Sequence, residues 1–268
     1  MSRIASTFAR LRAAGRTGLI PFITVGYPEL DAAMELVPAM VRAGADLLEL
    51  GIPFSDPLAD GATVQHSSHQ ALRNGVTVRH CLDTARRLRA RVDAPLIFMG
   101  YYNPLLAFGL DRFAAEAAAA GADGLIVPDV PPVESDDLLA ACRRHGLDLI
   151  FMVAPTSTEA DIEEVARRAS GFIYCLAVIG VTGARDSLSD ELAGFIARVR
   201  ARTDLPLAIG LGVSRAEHVA RIGELAEAAV VGSALINRID AAPPDRRVEE
   251  VESFIAGLRP APALRTTD

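Results

Sequence analysis

Short runs rich in Leu, Ile, Val and Phe recur along the chain. Each is followed by a turn containing Gly or Pro and then by a longer stretch whose apolar positions repeat at helical spacing. This alternation predicts a parallel sheet with helices packed outside it. Strands are expected near Leu19–Val25, Asp46–Leu50, Pro95–Met99, Gly124–Val127, Asp148–Val153, Phe172–Leu176, Pro206–Ile209 and Ala228–Val231. Eight is the number that closes a (β/α)8 TIM barrel, although a doubly wound open sheet shares the same alternation. Successive strands start roughly 25 residues apart, the size of one βα unit. The gaps after the second and after the sixth strand are longer and predict long βα loops. The segments Ala43–Leu48 and Ala120–Leu125 resemble each other, and each joins a helix end to a strand through a glycine suited to a left-handed cap.

Ahead of the first strand, Ile4, Phe8 and Leu11 share one helical face, which predicts an additional N-terminal helix plugging the barrel floor. After the last strand, Val248, Val251, Ile255 and Leu258 predict a closing outer helix, and the Pro- and Ala-rich tail 260–268 reads as frayed. A chain of 268 residues suffices for one large barrel or two ordinary domains. With no composition shift or linker to divide it, a single domain over 1–268 is expected.

The alternation also isolates an acid in an apolar setting. In Asp46–Gly51, Leu48 and Leu50 point to one face of the strand, and Leu47 and Glu49 to the other. A carboxyl group at the C-terminal end of a barrel strand lies at the mouth where barrel enzymes do their chemistry. Partial desolvation there raises its pKa toward neutrality. Glu49 is therefore the first catalytic candidate, with a structural ion pair to an Arg, or snorkelling to solvent, as the alternatives. The loop Gly51–Gly61 that follows is stiffened by Pro53 and Pro57 and carries Asp56 and Asp60. These two acids fit either a position over the barrel mouth or helix N-caps and solvated loop sites.

Gly-bearing turns follow the last three strands: Gly180–Arg185, Gly210–Ser214 and Gly232-Ser233. Glycine lets backbone N–H groups approach an anion, and the loops after strands 7 and 8 form a common phosphate site in this fold, so a small phosphorylated ligand is expected. The segment Gly180–Arg185 lies in one of the long gaps and suits a lid that excludes water. Phe22, Tyr101, Ile126, Tyr174 and Leu211 fall near strand ends and fit a flat pocket beside the acids, or simple core packing. His66 and His69 are helically spaced but lack a third ligand, so no metal is expected. The acidic stretch Glu159–Glu164 and the basic stretch Arg86–Arg91 read as solvated helix faces.

Charge and cysteine usage narrow the class. Twenty-seven Lys plus Arg against 34 Asp plus Glu give a net charge of −7, which argues against nucleic acid as a partner. Cys81, Cys142 and Cys175 are far apart, with no CxxC spacing, which suits a reducing compartment. No stretch reaches the roughly 18 apolar residues needed to span a bilayer, so a cytoplasmic, unanchored protein is expected.

The run Glu49-Leu50-Gly51-Ile52-Pro53-Phe54-Ser55-Asp56-Pro57-Leu58-Ala59-Asp60-Gly61, read with Gly180-Val181-Thr182-Gly183-Ala184-Arg185, resembles the tryptophan synthase α-subunit family. The likeness extends through Leu19–Thr24, Gly100–Pro104, Ala154–Ser157 and Gly210–Val213, and covers the chain from Ile4 to about Leu258. It implies a lyase that cleaves indole-3-glycerol phosphate to indole and glyceraldehyde 3-phosphate. By resemblance, Glu49 would protonate indole C3 and take up the glycerol hydroxyl proton. Asp60 would accept the indole N–H and stabilise the positive charge on the ring. The phosphate would be held by Gly183, Gly212, Gly232 and Ser233, and the indole bordered by Phe22, Tyr101, Ile126, Tyr174 and Leu211. Thr182 would orient Asp60.

The resemblance further implies an α2β2 assembly with a β subunit that carries pyridoxal phosphate, no cofactor in this chain, and docking through Pro53, Asp56, Pro57, Asn103 and Pro104. Two places depart from the family pattern. Ala62 stands where a proline usually follows Asp-Gly, and Ala177-Val178-Ile179 where small hydroxyl residues are commoner; both bear on how firmly the Asp60 loop and the lid are held.

Overall fold

The computed structural model describes residues 1–177, 185–210 and 212–259, and of residues 185–190 the backbone alone. Its strands are β1 (Gly18–Thr24), β2 (Leu48–Gly51), β3 (Leu96–Met99), β4 (Gly124–Ile126), β5 (Asp148–Ile150), β6 (Met152–Val153), β7 (Ile173–Leu176), β8 (Leu207–Gly210) and β9 (Ala228–Val231). They pair in the order β5-β4-β3-β2-β1-β9-β8-β7-β6, every pair parallel.

The two ends of that order are one stretch of chain. Only Phe151 separates β5 from β6; β5 bonds to β4, and β6 bonds to β7. Phe151 O accepts the Tyr174 N–H at 3.0 Å, and Leu149 O accepts the Ser170 N–H at 3.0 Å. The ring is thus closed by eight staves and the fold is a (β/α)8 TIM barrel, which excludes the open-sheet alternative. The expected continuous strand Asp148–Val153 is interrupted where its hydrogen bonding passes from one neighbour to the other. Strand β2 starts later than expected because Asp46 is a cap: its carboxylate accepts the Leu19 N–H at 3.0 Å and pairs with Arg16.

The staves divide their side chains as the alternation predicts. Leu48 and Leu50 belong to the large apolar layer between strands and helices. Leu47 belongs to a second cluster inside the barrel with Ile20, Ile97, Ile126, Ile150 and Phe172. The N-terminal helix Arg3–Ala13 is capped by the Ser2 hydroxyl, which accepts the Ala5 N–H at 3.1 Å. Its Ile4, Phe8 and Leu11 complete the interior cluster from below, with the Phe8 and Phe172 rings 5.6 Å apart. Burying each of these side chains contributes about 1.5–3 kcal/mol, which is why the short helix stays on the floor. The closing helix Arg247–Gly257 buries Val251 and Ile255, with Leu258 just beyond it, and packs on helix Ala33–Arg42. The tail 260–268 lies outside the described residues.

The gap after β2 is not one long loop, as the spacing suggests. A connection over 52–61 leads into two helices, Ala62–Arg73 and Val78–Arg89. The second starts where Thr77 accepts the His80 N–H at 3.2 Å, and it buries Cys81, Leu82, Ala85 and Leu88. Its basic stretch is not wholly solvated either. Arg89 donates to the carbonyls of Val92, Ala94 and Gly121 and to Asp123, tying the barrel floor together. In the gap after β7, residues 178–184 lie outside the described residues and precede helix Arg185–Arg200. The acidic helix Glu159–Arg168 presents a solvated face, as expected, with Glu159, Asp161 and Glu163 exposed and Glu159 paired at the surface to Arg198 and Arg202. Cys81, Cys142 and Cys175 are free and buried, and no described helix is long and apolar enough to cross a membrane.

Candidate active site

The inward-facing residues nearest the C-terminal ends of the staves enclose a cavity of about 560 Å³. Phe22, Glu49, Met99, Met152, Tyr174, Gly210 and Val230 supply its floor and sides, and Asp60, Gly212, Gly232 and Ser233 its rim. Two glycines make room for the aromatic walls. A Cβ on Gly51 would sit 2.6 Å from the Phe22 ring, and one on Gly210 would sit 2.5 Å from the Tyr174 hydroxyl. Gly210, read from the sequence as part of a phosphate turn, is therefore needed to seat Tyr174.

Glu49 is 1 % exposed, and its Oε1 has no hydrogen-bond partner. Among the described residues no arginine reaches it, so it is neither a structural ion pair nor a snorkelling side chain. Burial without compensation disfavours the charged form and pushes its pKa from 4.5 up to about 8. Asp60 sits higher on the same wall. Burial raises its pKa to about 6, while a hydrogen bond from the Tyr101 hydroxyl pulls the other way. At neutral pH the pair is thus one neutral acid and one largely ionised carboxylate in a single cavity, two states set by two depths of burial. Tyr174 faces both; burial and their charge raise its own pKa.

The loop carrying Asp60 is held from two sides. The Ser68 hydroxyl accepts the Phe54 N–H at 3.0 Å, and Gln65 donates to Asp60 O at 2.9 Å. Across the loop, the Tyr101 hydroxyl accepts the Ala59 N–H at 3.0 Å, with the Tyr101 ring 5.3 Å from that of Phe54. These contacts fix the loop although Ala62, not proline, opens the next helix. Asp60 is not an N-cap, since that position belongs to Gly61. Asp56 is exposed beside Ser55, away from the cavity.

On the far rim, helix Ser233–Ala241 starts at Gly232, and Gly232, Ser233 and Ala234, which carry its first N–H groups, line the cavity mouth. Gly212 adopts φ +62°, a left-handed conformation that favours glycine. Thr182, Gly183 and Leu211 lie outside the described residues.

Of the expected indole contacts, Phe22 and Tyr174 line the cavity. Tyr101 lines a small adjoining recess beside Asp60. Ile126 is buried in the interior cluster and does not reach the cavity. Ala177, in the divergent Ala-Val-Ile run, lines the wall; Val178 and Ile179 lie outside the described residues. Pro53 and Pro57 are buried in the loop, while Asn103 is exposed beside the half-buried Pro104.

Lining residues that sequence reasoning missed include Val64, Met99, Pro128, Met152, Ser157 and Val213. His66 packs edge-on against Tyr27 and His69 approaches Ser55 O at 3.3 Å, so neither points toward a shared ion. Among the described residues no group of three or more His, Cys, Asp or Glu is gathered for a metal.

Comparison with known proteins is consistent along the whole chain. The family model for the tryptophan synthase alpha chain matches residues 8–260. The alpha chain of Roseiflexus sp. (strain RS-1) is 58 % identical over 260 residues, covering 97 % of this chain and 100 % of the relative. That of Chloroflexus aurantiacus is 53 % identical over 264 residues, 98 % and 99 % of the two chains. Among solved structures, the tryptophan synthase alpha subunit of Legionella pneumophila str. Paris superposes with a TM-score of 0.89 at 34 % identity, covering 97 % of each chain. The aminoacrylate-bound tryptophan synthase of M. tuberculosis gives 0.87 at 34 % identity, covering 96 % and 98 %.

Proposed function

Because this chain belongs to the tryptophan synthase alpha chain family, lyases of tryptophan biosynthesis, we propose that Glu49 and Asp60 together cleave indole-3-glycerol phosphate in its barrel mouth. The observation that carries the assignment is two carboxyl groups bordering one cavity at different depths, Glu49 sealed with an unpartnered Oε1 and Asp60 only half-buried. Glu49, protonated at neutral pH, gives its proton to indole C3. Asp60 accepts the indole N–H, and its negative charge stabilises the cation that the ring becomes. Glu49, now a carboxylate, takes the proton of the glycerol hydroxyl next to C3. That oxygen forms a carbonyl, the bond from its carbon to C3 breaks, and the electron pair returns to the ring. Indole and glyceraldehyde 3-phosphate result, with Glu49 protonated again. The phosphate is bound by Gly212, Gly232 and Ser233, with Gly183 added from the lid, where Thr182 orients Asp60. Phe22, Tyr101, Tyr174 and Leu211 border the indole, with Ile126 behind. The single domain works in the cytoplasm.

The pH dependence follows in sign. Asp60 must be ionised, so activity falls as pH drops through about 6. Glu49 must start protonated, so activity falls as pH rises through about 8. The profile of kcat/KM, which reports the free enzyme, should be a bell with limbs near those values. A flat profile across both limbs would remove the two carboxyls from their roles.

The alpha chain works with a beta subunit, and we place the docking surface on the two loops that carry Pro53, Asp56 and Pro57 and Asn103 and Pro104, with Asp56 and Asn103 exposed on them. The assembly is α2β2, and pyridoxal phosphate belongs to the partner. Indole release by the purified chain, titrated with a tryptophan synthase beta subunit, tests this. A slow basal rate should rise and saturate near equal subunit amounts. A fast rate indifferent to the partner would indicate a stand-alone lyase, and no indole under either condition a binding-only barrel.

A further inference from the structure

Resting on that reading of the site, we infer that Met99 and Met152 form an adjustable end wall for the six-membered ring of the indole, so that the enzyme accepts substituents there with little discrimination. The orientation follows from the staves. The two carboxyls come from β2 and the loop leaving it, whereas the phosphate rim belongs to the turns after β8 and β9. In indole, N1 and C3, the atoms those acids address, both belong to the five-membered ring, and the glycerol phosphate hangs from C3. With that ring beside β2 and the phosphate beside β8 and β9, the fused six-membered ring is directed to the remaining arc, from β3 to β6. Along that arc the cavity is bounded by Met99, Pro128, Met152, Val153 and Ala154.

The walls differ in stiffness. Phe22 and Tyr174 are pressed against the backbone at Gly51 and Gly210, closer than a Cβ would allow, so their rings cannot give way without moving strands. Met99 and Met152 are only half-buried and lie on the interior cluster below. An unbranched thioether with three rotatable bonds re-packs at small cost. A rigid apolar pocket discriminates about 10–200-fold over one methylene-sized group. Two methionines at the end wall remove most of that discrimination.

The test compares kcat/KM for indole-3-glycerol phosphate with that for the same ester carrying one methyl or chloro group on the six-membered ring. The wild-type ratio should lie within about 3-fold of unity. In Met99→Ile and Met152→Ile the branched side chain suits a strand but is stiff at χ1, and the ratio should fall at least ~10-fold against the substituted ester, whatever each variant's rate on the parent. Circular dichroism confirms that each variant is folded, and Met99→Leu serves as a second, unbranched-Cβ variant whose ratio should stay near wild type. A wild-type ratio already reduced 10-fold or more, or isoleucine variants that keep the wild-type ratio, would overturn the inference while leaving the cleavage assignment intact. Absence of cleavage of the parent ester by wild type with the beta subunit present would instead overturn the functional reading on which it rests.

Discussion

Replacing Glu49 by glutamine is expected to lower turnover at least ~10²-fold while leaving substrate binding within a few-fold. The amide keeps the size of the side chain and its place in the cavity but has no proton to give to C3. Single-turnover rates and equilibrium binding of the substrate measure the two effects separately; near-normal turnover would remove Glu49 from the chemistry. The same variant carries a second, opposite expectation. A buried carboxyl with its pKa raised from 4.5 to about 8 leaves the wild-type fold at full relative stability only below about pH 4.5. That contribution is lost progressively as pH rises toward 8, reaching ~3 kcal/mol by pH 7. Glutamine does not titrate, so its stability relative to wild type should climb over that window and level off above it. Part of the gain is offset by the hydrogen bonds the amide leaves unmade. Urea titrations at pH 5 and pH 8 read the difference, and a difference that does not grow with pH contradicts the burial argument.

Asp60→Asn should cost ~10²–10³-fold in kcat with little change in KM, the scale seen when one preorganised electrostatic group is removed from a reaction centre. Asparagine can still accept the indole N–H through its carbonyl oxygen, so ground-state binding survives. What disappears is the negative charge facing a ring that becomes cationic only in the transition state. The variant should also lose the acid limb near pH 6 and keep the limb near pH 8, which separates it from a merely misfolded site. A kcat near wild type would reduce Asp60 to a hydrogen-bond acceptor.

Much of this site is written in strand parity. Alternation alone puts Glu49 on the face opposite Leu48 and Leu50, and the structure shows that this face is the barrel interior. Parity does not give height, since barrel strands tilt and residues paired across a ladder need not lie level. Ile126 pairs in register with Met99, yet Met99 borders the cavity and Ile126 is sealed in the cluster beneath. For the same reason nothing in the sequence marks Met99 and Met152 as cavity residues. Asp60 was open on spacing alone, for an acid in a Pro-rich loop serves equally as a cap. Only the family resemblance singled it out, and the hydrogen bonds its loop makes with Gln65, Ser68 and Tyr101 join residues 5, 14 and 42 positions apart along the chain. Arg89 shows the converse error: a run of arginines looks solvated, but one of them is drawn under the helix by carbonyls that the sequence does not display.

Leu58 is 92 % exposed, and Asp60, two residues further along, borders the cavity. Ala59 between them gives its N–H to Tyr101. A neighbour that settles on Leu58 therefore needs no chain of side chains through the barrel to alter the chemistry. Leu58 and the carboxylate lie on either side of one residue, Ala59, whose N–H is tethered to the Tyr101 hydroxyl, so the exposed surface and the cavity are joined by the shortest possible stretch of backbone.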